Sequence, residues 1–272
     1  MTANPSPRLS QIAGNYREWA PVAPLREHVS CLWVNDLRTS SVSLLQVVPD
    51  GCVDILWNGQ DLIVAGPDTE PVLSNLAPQS AVVGVRFRPG AAFSWLGVPL
   101  NEIVNARLPL GEFWKLRTSP LAATVASLED QLSQAPDLPE AARILERALL
   151  ARLPQAGPMD ARIAFLRKAA SEDRPTRSGA GYLDVRSLAT RLGMSERTLH
   201  RRSLDVFGYG LKTLHRIARF QRFFALARHS PNQSLVTLAA QAGFADQAHL
   251  TREVQRLGGK TPGRFVAQLN DE

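Results

Sequence analysis

The sequence is short of the residues from which most metal and hydrolytic sites are built. Of its five histidines, only His28 precedes residue 200. Neither a histidine-based metal site nor a Ser-His-Asp or Cys-His arrangement is therefore predicted in the first two thirds of the chain. The glycine-rich phosphate-binding motifs G-x-x-x-x-G-K-[ST] and G-x-G-x-x-G do not occur. We expect no enzymatic activity, no cofactor and no metal.

Cysteines are also scarce, and long apolar runs are missing. Cys31 and Cys52 are the only two cysteines, and both lie in apolar stretches, which predicts buried free thiols in a reducing compartment. Neither has a basic neighbour in the sequence that would activate it as a nucleophile. No run is long enough to span a membrane, and the start, MTANPSPRLSQ, has no signal pattern. We expect a cytoplasmic protein with no membrane partner.

Acidic residues are few at the C-terminal end, so the charge is uneven. Residues 174–272 contain 16 Lys+Arg and 7 Asp+Glu, a balance of +9, whereas residues 1–173 carry −3 of the total of +6. Most of these cations are arginines, whose planar guanidinium groups bind phosphate well. The length of 272 residues suggests about two domains. A basic domain beside a mildly acidic one predicts a polyanionic partner at the C-terminal end.

An internal repeat occupies this basic end. The segments DVRSLATRLGMSERTLHRRSLDVFG and SLVTLAAQAGFADQAHLTREVQRLGG align with their apolar residues and glycines in register. Each copy has an N-cap candidate, a helical apolar pattern, a glycine turn and a second N-cap candidate. This pattern predicts two helix-turn-helix units whose second helices enter the major groove of DNA. The paired positions are Asp184 and Ser234, Gly193 and Gly243, and Ser195 and Asp246.

The second helix of each unit divides into a core face and a polar face. Leucine and valine residues are predicted to hold it in place, at Leu199 and Val206 in the first unit and at Leu250, Val254 and Leu257 in the second. Residues off these faces are placed to reach base edges, and Ala248 among them can offer only an apolar contact, for instance to a thymine methyl. The predicted DNA-binding residues are Arg197, His200, Arg201, Gln247, Ala248, His249 and Arg252.

An amphipathic helix is predicted between the two units, at residues 211–229. A helix of this length spans roughly 28 Å and can hold two recognition helices about one turn of DNA apart. Four arginines lie along it, and contact with phosphate or with solvent is expected for them. They are Arg216, Arg219, Arg222 and Arg228.

The C-terminal third resembles the AraC-type transcription regulators. The motifs that carry the resemblance are LATRLGMSERTLHRR, RIARFQR, LAAQAGFADQAHLTRE and GGKTPGRF, which cover about residues 182–266. The resemblance implies a seven-helix domain that reads two successive major-groove segments, with base contacts at the seven residues given above. Ser203 departs from the family pattern, where a large apolar residue is usual, and Leu211 stands where proline is common. Both departures weaken the predicted rigidity of the first unit.

The N-terminal part of the chain reads as strands followed by helices. Short apolar runs over residues 29–88 are separated by the turn sequences PDG, NGQD and GPDTEP. These predict an antiparallel sandwich or small barrel, cupin-like by analogy. Helical patterns follow at residues 119–134, 137–152 and 158–172, and SEDRPTRSGAG reads as a mobile linker. The expected class is α+β, with a β-rich regulatory domain at 1–118, a helical linker or dimerisation segment at 119–172 and the DNA-binding domain at 173–272.

The motifs VVPDGCVDILWN and GVRFRPGAAFSWLGVP are similar to a regulatory domain found before some AraC-type DNA-binding domains, and no ligand follows from that similarity. Arg86 and Arg88 alternate along a strand and are expected on one face. Two interpretations stand: a solvated face with an ion pair to Asp50 or Asp54, or an arginine pair at a barrel mouth that binds an anionic effector. The candidate ligand-binding residues are Asp54, Arg86 and Arg88.

Together these patterns predict a one-component, sequence-specific DNA-binding transcription regulator. Its partners would be double-stranded operator DNA, a small-molecule effector, a second copy of the chain in a homodimer and, for an activator, RNA polymerase. One alternative is a DNA-binding protein whose N-terminal domain only docks a protein partner. The other is a cysteine-dependent DNA-repair regulator, which would need an activated thiol.

Overall fold

The structure is a computed structural model that describes residues 8–10, 14–38, 44–75, 80–114, 124–172, 184–230 and 232–270. The predicted linker lies mostly outside these residues. The strands are β1 Arg8–Leu9, β2 Asn15–Trp19, β3 Val29–Asp36, β4 Leu44–Val47, β5 Val53–Trp57, β6 Leu62–Ala65, β7 Val72–Asn75, β8 Ala81–Phe87 and β9 Arg107–Pro109. The helices are α1 Ala92–Leu96, α2 Gly111–Trp114, α3 Val125–Ser133, α4 Leu138–Ala156, α5 Ala161–Glu172, α6 Val185–Arg191, α7 Glu196–Phe207, α8 Leu211–His229, α9 Leu235–Ala242, α10 Gln247–Gly258 and α11 Pro262–Asn270.

The strands form two sheets, and helices follow them in the chain, which confirms the predicted α+β class. Six strands pair antiparallel in the order β2-β3-β8-β5-β6-β9, and three form a smaller sheet in the order β1-β4-β7. The smaller sheet is mixed, because β1 runs parallel to β4.

One face of the larger sheet carries the core of the N-terminal part. The alternating sequence VDILW of β5 buries Val53, Ile55 and Trp57 on this face, as expected for a strand with one face against a core. Helix α4 packs across β3 and β8 on the same side. Its N-cap is Asp137, whose carboxylate accepts from the backbone N–H of Glu140 at 2.8 Å. Helices α3 and α4 therefore share the core of the sheet.

The six helices α6 to α11 form the C-terminal part around a second core. The resemblance implied seven helices between about 182 and 266, and the described residues from 184 to 270 form six. A seventh helix packs on them from earlier in the chain, because α5 contributes Ile163, Leu166 and Ala170 to the same core. Helix α8 spans the predicted residues and contacts α5, α7, α9, α10 and α11.

The two parts of the chain are in direct contact. We call the part that contains β1 to β9 the β domain and the part that contains α5 to α11 the helical domain. Leu9 and Val48 of the β domain belong to the core of the helical domain. Hydrogen bonds also join the two parts, since Gln46 Nε2 donates to the carbonyl of Gly258 at 2.9 Å and Gln221 Nε2 donates to the carbonyl of Pro49 at 2.6 Å.

Candidate nucleic-acid interface

Helices α7 and α10 begin with the capping residues that the repeat predicted. Ser195 Oγ accepts from the backbone N–H of Thr198 at 3.1 Å, and Asp246 Oδ1 accepts from that of His249 at 2.6 Å. A side-chain oxygen at this position satisfies an N–H group that the helix leaves unpaired. The turn glycines before these helices, Gly193 and Gly243, have φ of +65° and +91°. The two units are helix-turn-helix pairs with the same local geometry.

The core faces of the two second helices are also as predicted. Leu199 and Leu250 are fully buried, and Val206, Val254 and Leu257 are buried beside them. Burial of a leucine or valine side chain stabilises a fold by about 1.5–3 kcal/mol. This packing fixes which side of each helix faces outward.

Five of the seven candidate DNA-binding residues are exposed polar side chains, four of them on the outer faces without an internal partner. Among the residues that the structure describes, Arg197, Arg201, Arg252 and Gln247 make no side-chain hydrogen bond or ion pair. Ala248 is exposed on α10 beside them, and His200 is exposed on α7 with its ring near Gly210.

His249 differs from the other candidates because it is half-buried. Its ring lies edge-on to Phe244 with the ring centres 5.4 Å apart, and its Nδ1 is 3.4 Å from the backbone nitrogen of Ala245. Burial, followed by the positive charge of Arg219, lowers the pKa of His249 below its usual 6.5. The imidazole is therefore neutral at pH 7.

Three of the four arginines on α8 serve the fold, which corrects the expectation that they face phosphate or solvent. Arg216 forms a two-point ion pair with Glu253 on α10, at 2.7 and 2.9 Å. Arg219 donates to the carbonyl of Gly243, and Arg222 donates to those of Ala242 and Ser171. Arg228 is exposed, as expected. The periodicity of α8 carried no signal for these contacts, because their acceptors lie far away in the sequence.

The two departures from the family pattern are accommodated in the core. Ser203 has no exposed surface, and its hydroxyl donates to the carbonyl of Leu199 at 2.7 Å. The hydrogen bond satisfies a polar group that would otherwise be costly to bury. Phe207, the last residue of α7, and Leu211, the first residue of α8, are both buried in the same core. The first unit therefore has a continuous core.

In the β domain, Arg86 and Arg88 do not form the expected pair. Arg86 lies opposite Asp54 across β5 and β8 and binds it through two hydrogen bonds of 3.1 and 3.0 Å. Asp50 lies 3.3 Å from the same guanidinium group, and Glu18 lies 3.7 Å from it. Arg88 follows the end of β8 and donates to the carbonyl of Arg26 at 2.8 Å.

The interpretation of Arg86 as one half of an ion pair therefore holds. The face is not solvated as that interpretation expected, because the Arg86 side chain is only 14% exposed. Burial opposes the charge of Arg86, but Asp54 and Asp50 outweigh it and raise the pKa of the guanidinium group. Burial raises the pKa of Asp54 against the opposing effect of Arg86.

A cavity of about 270 Å³ lies between the β domain and the helical domain. Asp50 and Pro89 line it from one side, Arg167 from α5, and Gln221 and Arg222 from α8. The guanidinium group of Arg167 makes no hydrogen bond or ion pair within the described residues. Burial, and then the like charge of Arg88, lowers the pKa of Arg167. No pattern in the sequence predicts this cavity, because α5 has an ordinary helical pattern.

Both cysteines are free thiols: Cys31 is buried and Cys52 is partly buried. Sequence reasoning found no basic neighbour for either, but Cys31 lies opposite Arg86 on β8. Burial nevertheless raises the pKa of Cys31 to about 12 and outweighs the opposing charge of Arg86. Burial and Asp50 raise the pKa of Cys52 as well. Neither environment activates a thiolate.

Over the described parts of the chain, His, Cys, Asp and Glu side chains form no group that could hold a metal ion. In the same parts, the helices are too short or too polar for a membrane-spanning segment.

Two family models match separate parts of the chain. A helix-turn-helix domain matches residues 188–268, which contain both units described above. A domain of unknown function, DUF6597, matches residues 17–109, which include most of the larger sheet. A comparison with curated proteins gave no match.

Solved structures of ToxT from Vibrio cholerae are similar to this chain at low identity. One, from strain O395, has 9% identity over 85% of this chain and 98% of that chain, with a TM-score of 0.45. Another from O395, bound to (E)-4-(8-methylnaphthalen-1-yl)but-3-enoic acid, has 10% identity over 84% and 98%, with a TM-score of 0.45. A third, from strain SCE256 and bound to an unsaturated fatty acid, has 12% identity over 91% and 99%, with a TM-score of 0.41.

The repeat, the two capped helix pairs and the matching family model agree on the C-terminal part of the chain. Residues 188–268 are an AraC-type helix-turn-helix domain, and the protein is a DNA-binding transcription regulator.

Proposed function

We propose that the protein reads operator DNA with α7 and α10 in two successive segments of the major groove. The proposal rests on the different surroundings of two groups of arginines in the domain. Arg216, Arg219 and Arg222 bind internal acceptors. Within the described parts of the chain, Arg197, Arg201 and Arg252 make no side-chain hydrogen bond or ion pair, and they lie on the outer faces of α7 and α10, where side chains reach bases in such units.

Each candidate has a contact suited to its chemistry. Arginine can donate two hydrogen bonds to guanine, a contact worth about 1–3 kcal/mol of discrimination, and the Gln247 amide can pair with adenine in the same way. Ala248 offers its methyl group to thymine. His200 is free to donate or accept, whereas His249 presents only Nε2, because its Nδ1 faces the backbone of Ala245.

The test compares two exposed arginines of α10. Arg252→Ala is expected to weaken binding to a DNA duplex selected by the wild-type protein by about 10- to 100-fold, with a much smaller loss on shuffled DNA. Arg256→Ala, one turn further from the N-terminus of α10, is the matched control and is expected to reduce both affinities about equally. Equal losses for Arg252→Ala on both duplexes would reassign Arg252 to a phosphate contact.

We further propose that the β domain senses an anionic small molecule. The candidate residues Asp54, Arg86 and Arg88 separate into two places, and Arg86 is already neutralised by carboxylates. Arg167 lines the interdomain cavity and makes no ion pair within the described residues, and Pro89, which follows Arg88, lines it as well; an anion there would offset the positive charge of Arg167. Thermal shifts with a panel of carboxylates and phosphates should show a ligand whose effect is lost in Arg167→Ala and kept in Arg162→Ala.

The division at residues 118 and 172 is also a proposal. In the middle segment of this division, α3 and α4 pack on the larger sheet and α5 packs in the core of α6 to α11, which supports a segment that joins the two parts. We also propose that the protein forms a homodimer through the helical segment and acts in the cytoplasm. If it is an activator, we propose that it contacts RNA polymerase. The molecular mass in solution tests the dimer. A β domain that binds no small molecule but retains a specific protein partner would favour the docking alternative.

A further inference from the structure

One loop of the β domain touches the carboxyl ends of both recognition helices. The loop consists of residues 66–71, between β6 and β7. A Cβ atom on Gly208, the residue that ends α7, would lie 2.7 Å from Pro67 Cγ. A Cβ atom on Gly259, the residue that ends α10, would lie 3.3 Å from Pro71 Cγ. These glycines occupy the same position in the internal repeat, so a single loop contacts both units at equivalent points.

Both contacts depend on glycine for two reasons. Gly208 and Gly259 have φ of +84° and +66°, which side chains other than glycine rarely adopt. Gly208 has no room for a side chain, because the carbonyl oxygen of Leu100 also lies 3.2 Å from its Cβ position. At Gly259 the contact is close but less restrictive, because Gln46 Nε2, the end of a flexible side chain, lies 2.9 Å from the Cβ position. The loop and the helix ends therefore fit together closely.

The loop itself is held rigidly by a neighbouring segment of the β domain. Asp68 is buried and binds Arg107 at 2.7 and 2.9 Å. Asn105 Oδ1 accepts from the backbone N–H of Thr69 at 2.8 Å, and Asn105 Nδ2 donates to Thr69 Oγ1 at 3.0 Å. The backbone N–H of Asn105 also donates to the carbonyl of Pro67 at 3.2 Å. Three consecutive loop residues are thereby fixed to residues 105–107.

The loop leaves the DNA-reading ends of the helices open. Arg197 and Arg201 on α7 and Arg252 on α10 are exposed, while the contacts with the loop lie at the opposite, carboxyl ends. A second link strengthens the contact at α10, because Gln46 Nε2 donates to the carbonyl of Gly258. The arrangement supports the two helices without covering the surfaces that face DNA.

We propose that residues 66–71 are a positioning loop that fixes the relative placement of the two recognition helices, so that the β domain helps to set operator spacing. The inference rests on the proposed function of α7 and α10. Two rigidly joined binding units gain affinity when their half-sites have the matching separation, and they lose it when the separation changes. One inserted base pair turns the second half-site by about a tenth of a helical turn.

The experiment measures tolerance of spacing in the full chain. The probe is a duplex enriched from random-sequence DNA by the wild-type protein, compared with the same duplex carrying one extra base pair between its halves. We expect the insertion to reduce wild-type affinity by about tenfold or more. Asn105→Gly frees the loop and keeps the left-handed backbone of residue 105 (φ +58°), and Gly208→Ala forces α7 off Pro67. In both variants, the inserted base pair is expected to lower the affinity only about threefold.

Gly157→Ala is the control for general destabilisation. Gly157 also has a positive φ, of +67°, but no atom lies within 4 Å of its Cβ position, and it lies at the end of α4. This variant is expected to keep the wild-type sensitivity to spacing. If Gly208→Ala does not fold, Gln46→Ala tests the contact at α10.

If the folded variants keep the wild-type ratio between their affinities for the two duplexes, the proposal of a positioning loop is wrong. Operator recognition by α7 and α10 is not affected by that result. A wild-type chain that enriches no sequence from random DNA overturns the proposed function, and the positioning loop with it.

Discussion

Arg216 and Glu253 form an ion pair that joins α8 to the second recognition helix: Arg216 Nε lies 2.7 Å from Glu253 Oε2, and Nη2 lies 2.9 Å from Oε1. The two side chains are only 24% and 14% exposed. An arginine that the sequence presents as a candidate for phosphate binding is thus part of the scaffold that holds α10.

This pair gives the first prediction. Arg216→Ala leaves Glu253 partly buried without its partner, so the free energy of unfolding is expected to fall by about 1–3 kcal/mol. Arg228→Ala, on the exposed side of the same helix, is expected to change it by less than about 0.5 kcal/mol. Urea denaturation of both variants measures the difference. Equal stability of the two variants would show that the ion pair does not hold α10.

Ser203 gives a prediction about the core of the first unit. Its side chain is fully buried and its hydroxyl bonds to the carbonyl of Leu199 in the preceding turn. Ser203→Ala removes that bond and leaves no buried group unpaired, so a change of less than about 1 kcal/mol is expected. Ser203→Leu introduces the large apolar residue that the family usually has, and overpacking is expected to cost about 1–3 kcal/mol. A leucine that stabilises the protein would reveal free space beside α7.

The thiol of Cys31 should resist alkylation. Its pKa is raised to about 12 by burial, so the thiolate that reacts with iodoacetamide is scarce at neutral pH. We expect Cys31 of the native protein to be modified far more slowly than Cys31 of the urea-unfolded chain at neutral pH, with a native rate that still rises about tenfold per pH unit up to about pH 9, because the thiolate fraction does so below the pKa. Rapid labelling of native Cys31, located by mass spectrometry, would revive the cysteine-dependent alternative.

His28 makes stability sensitive to acid. It is buried, its ring lies edge-on to Trp95 at 5.5 Å, and burial lowers its pKa below 6.5. The unfolded chain therefore binds the proton more readily than the folded chain does, and the stability contributed by neutral His28 is present above about pH 6.5 and lost below it. Between about pH 7.5 and pH 5.5, His28→Gln should lose less unfolding free energy than the wild type does. An equal loss in both proteins would assign the acid sensitivity to other groups.

The elements of the C-terminal domain could be predicted because their signals are local. Ser195 and Asp246 cap helices, Gly193 and Gly243 turn the chain, and the apolar period of α8 marks its length; all of these lie within a few residues of their effect. The same local signals predicted which side chains lie on the exposed sides of α7 and α10, and their contact with DNA stays a prediction.

Contacts between distant parts of the chain could not be predicted in this way. Glu18 of β2 lies near Arg86 although no local pattern linked the two, and Arg222 reaches the carbonyl of Ser171 on a different helix. Periodicity describes which face of an element is buried, but it does not identify what covers that face. The contacts of Pro67 and Pro71 with the helix ends join residues more than a hundred positions apart, so the sequence showed only two prolines flanking a turn.

The most direct test of the account is selection of DNA from a random-sequence duplex pool with the wild-type chain and with two variants. We expect the wild type to enrich a motif in two parts, with centres about 10 base pairs apart. The double variant Arg197→Ala/Arg201→Ala should lose one part of the motif, and Arg252→Ala should lose information in the other. Enrichment of no motif, or a motif that stays whole in both variants, would contradict the assignment of α7 and α10 as the helices that read the operator.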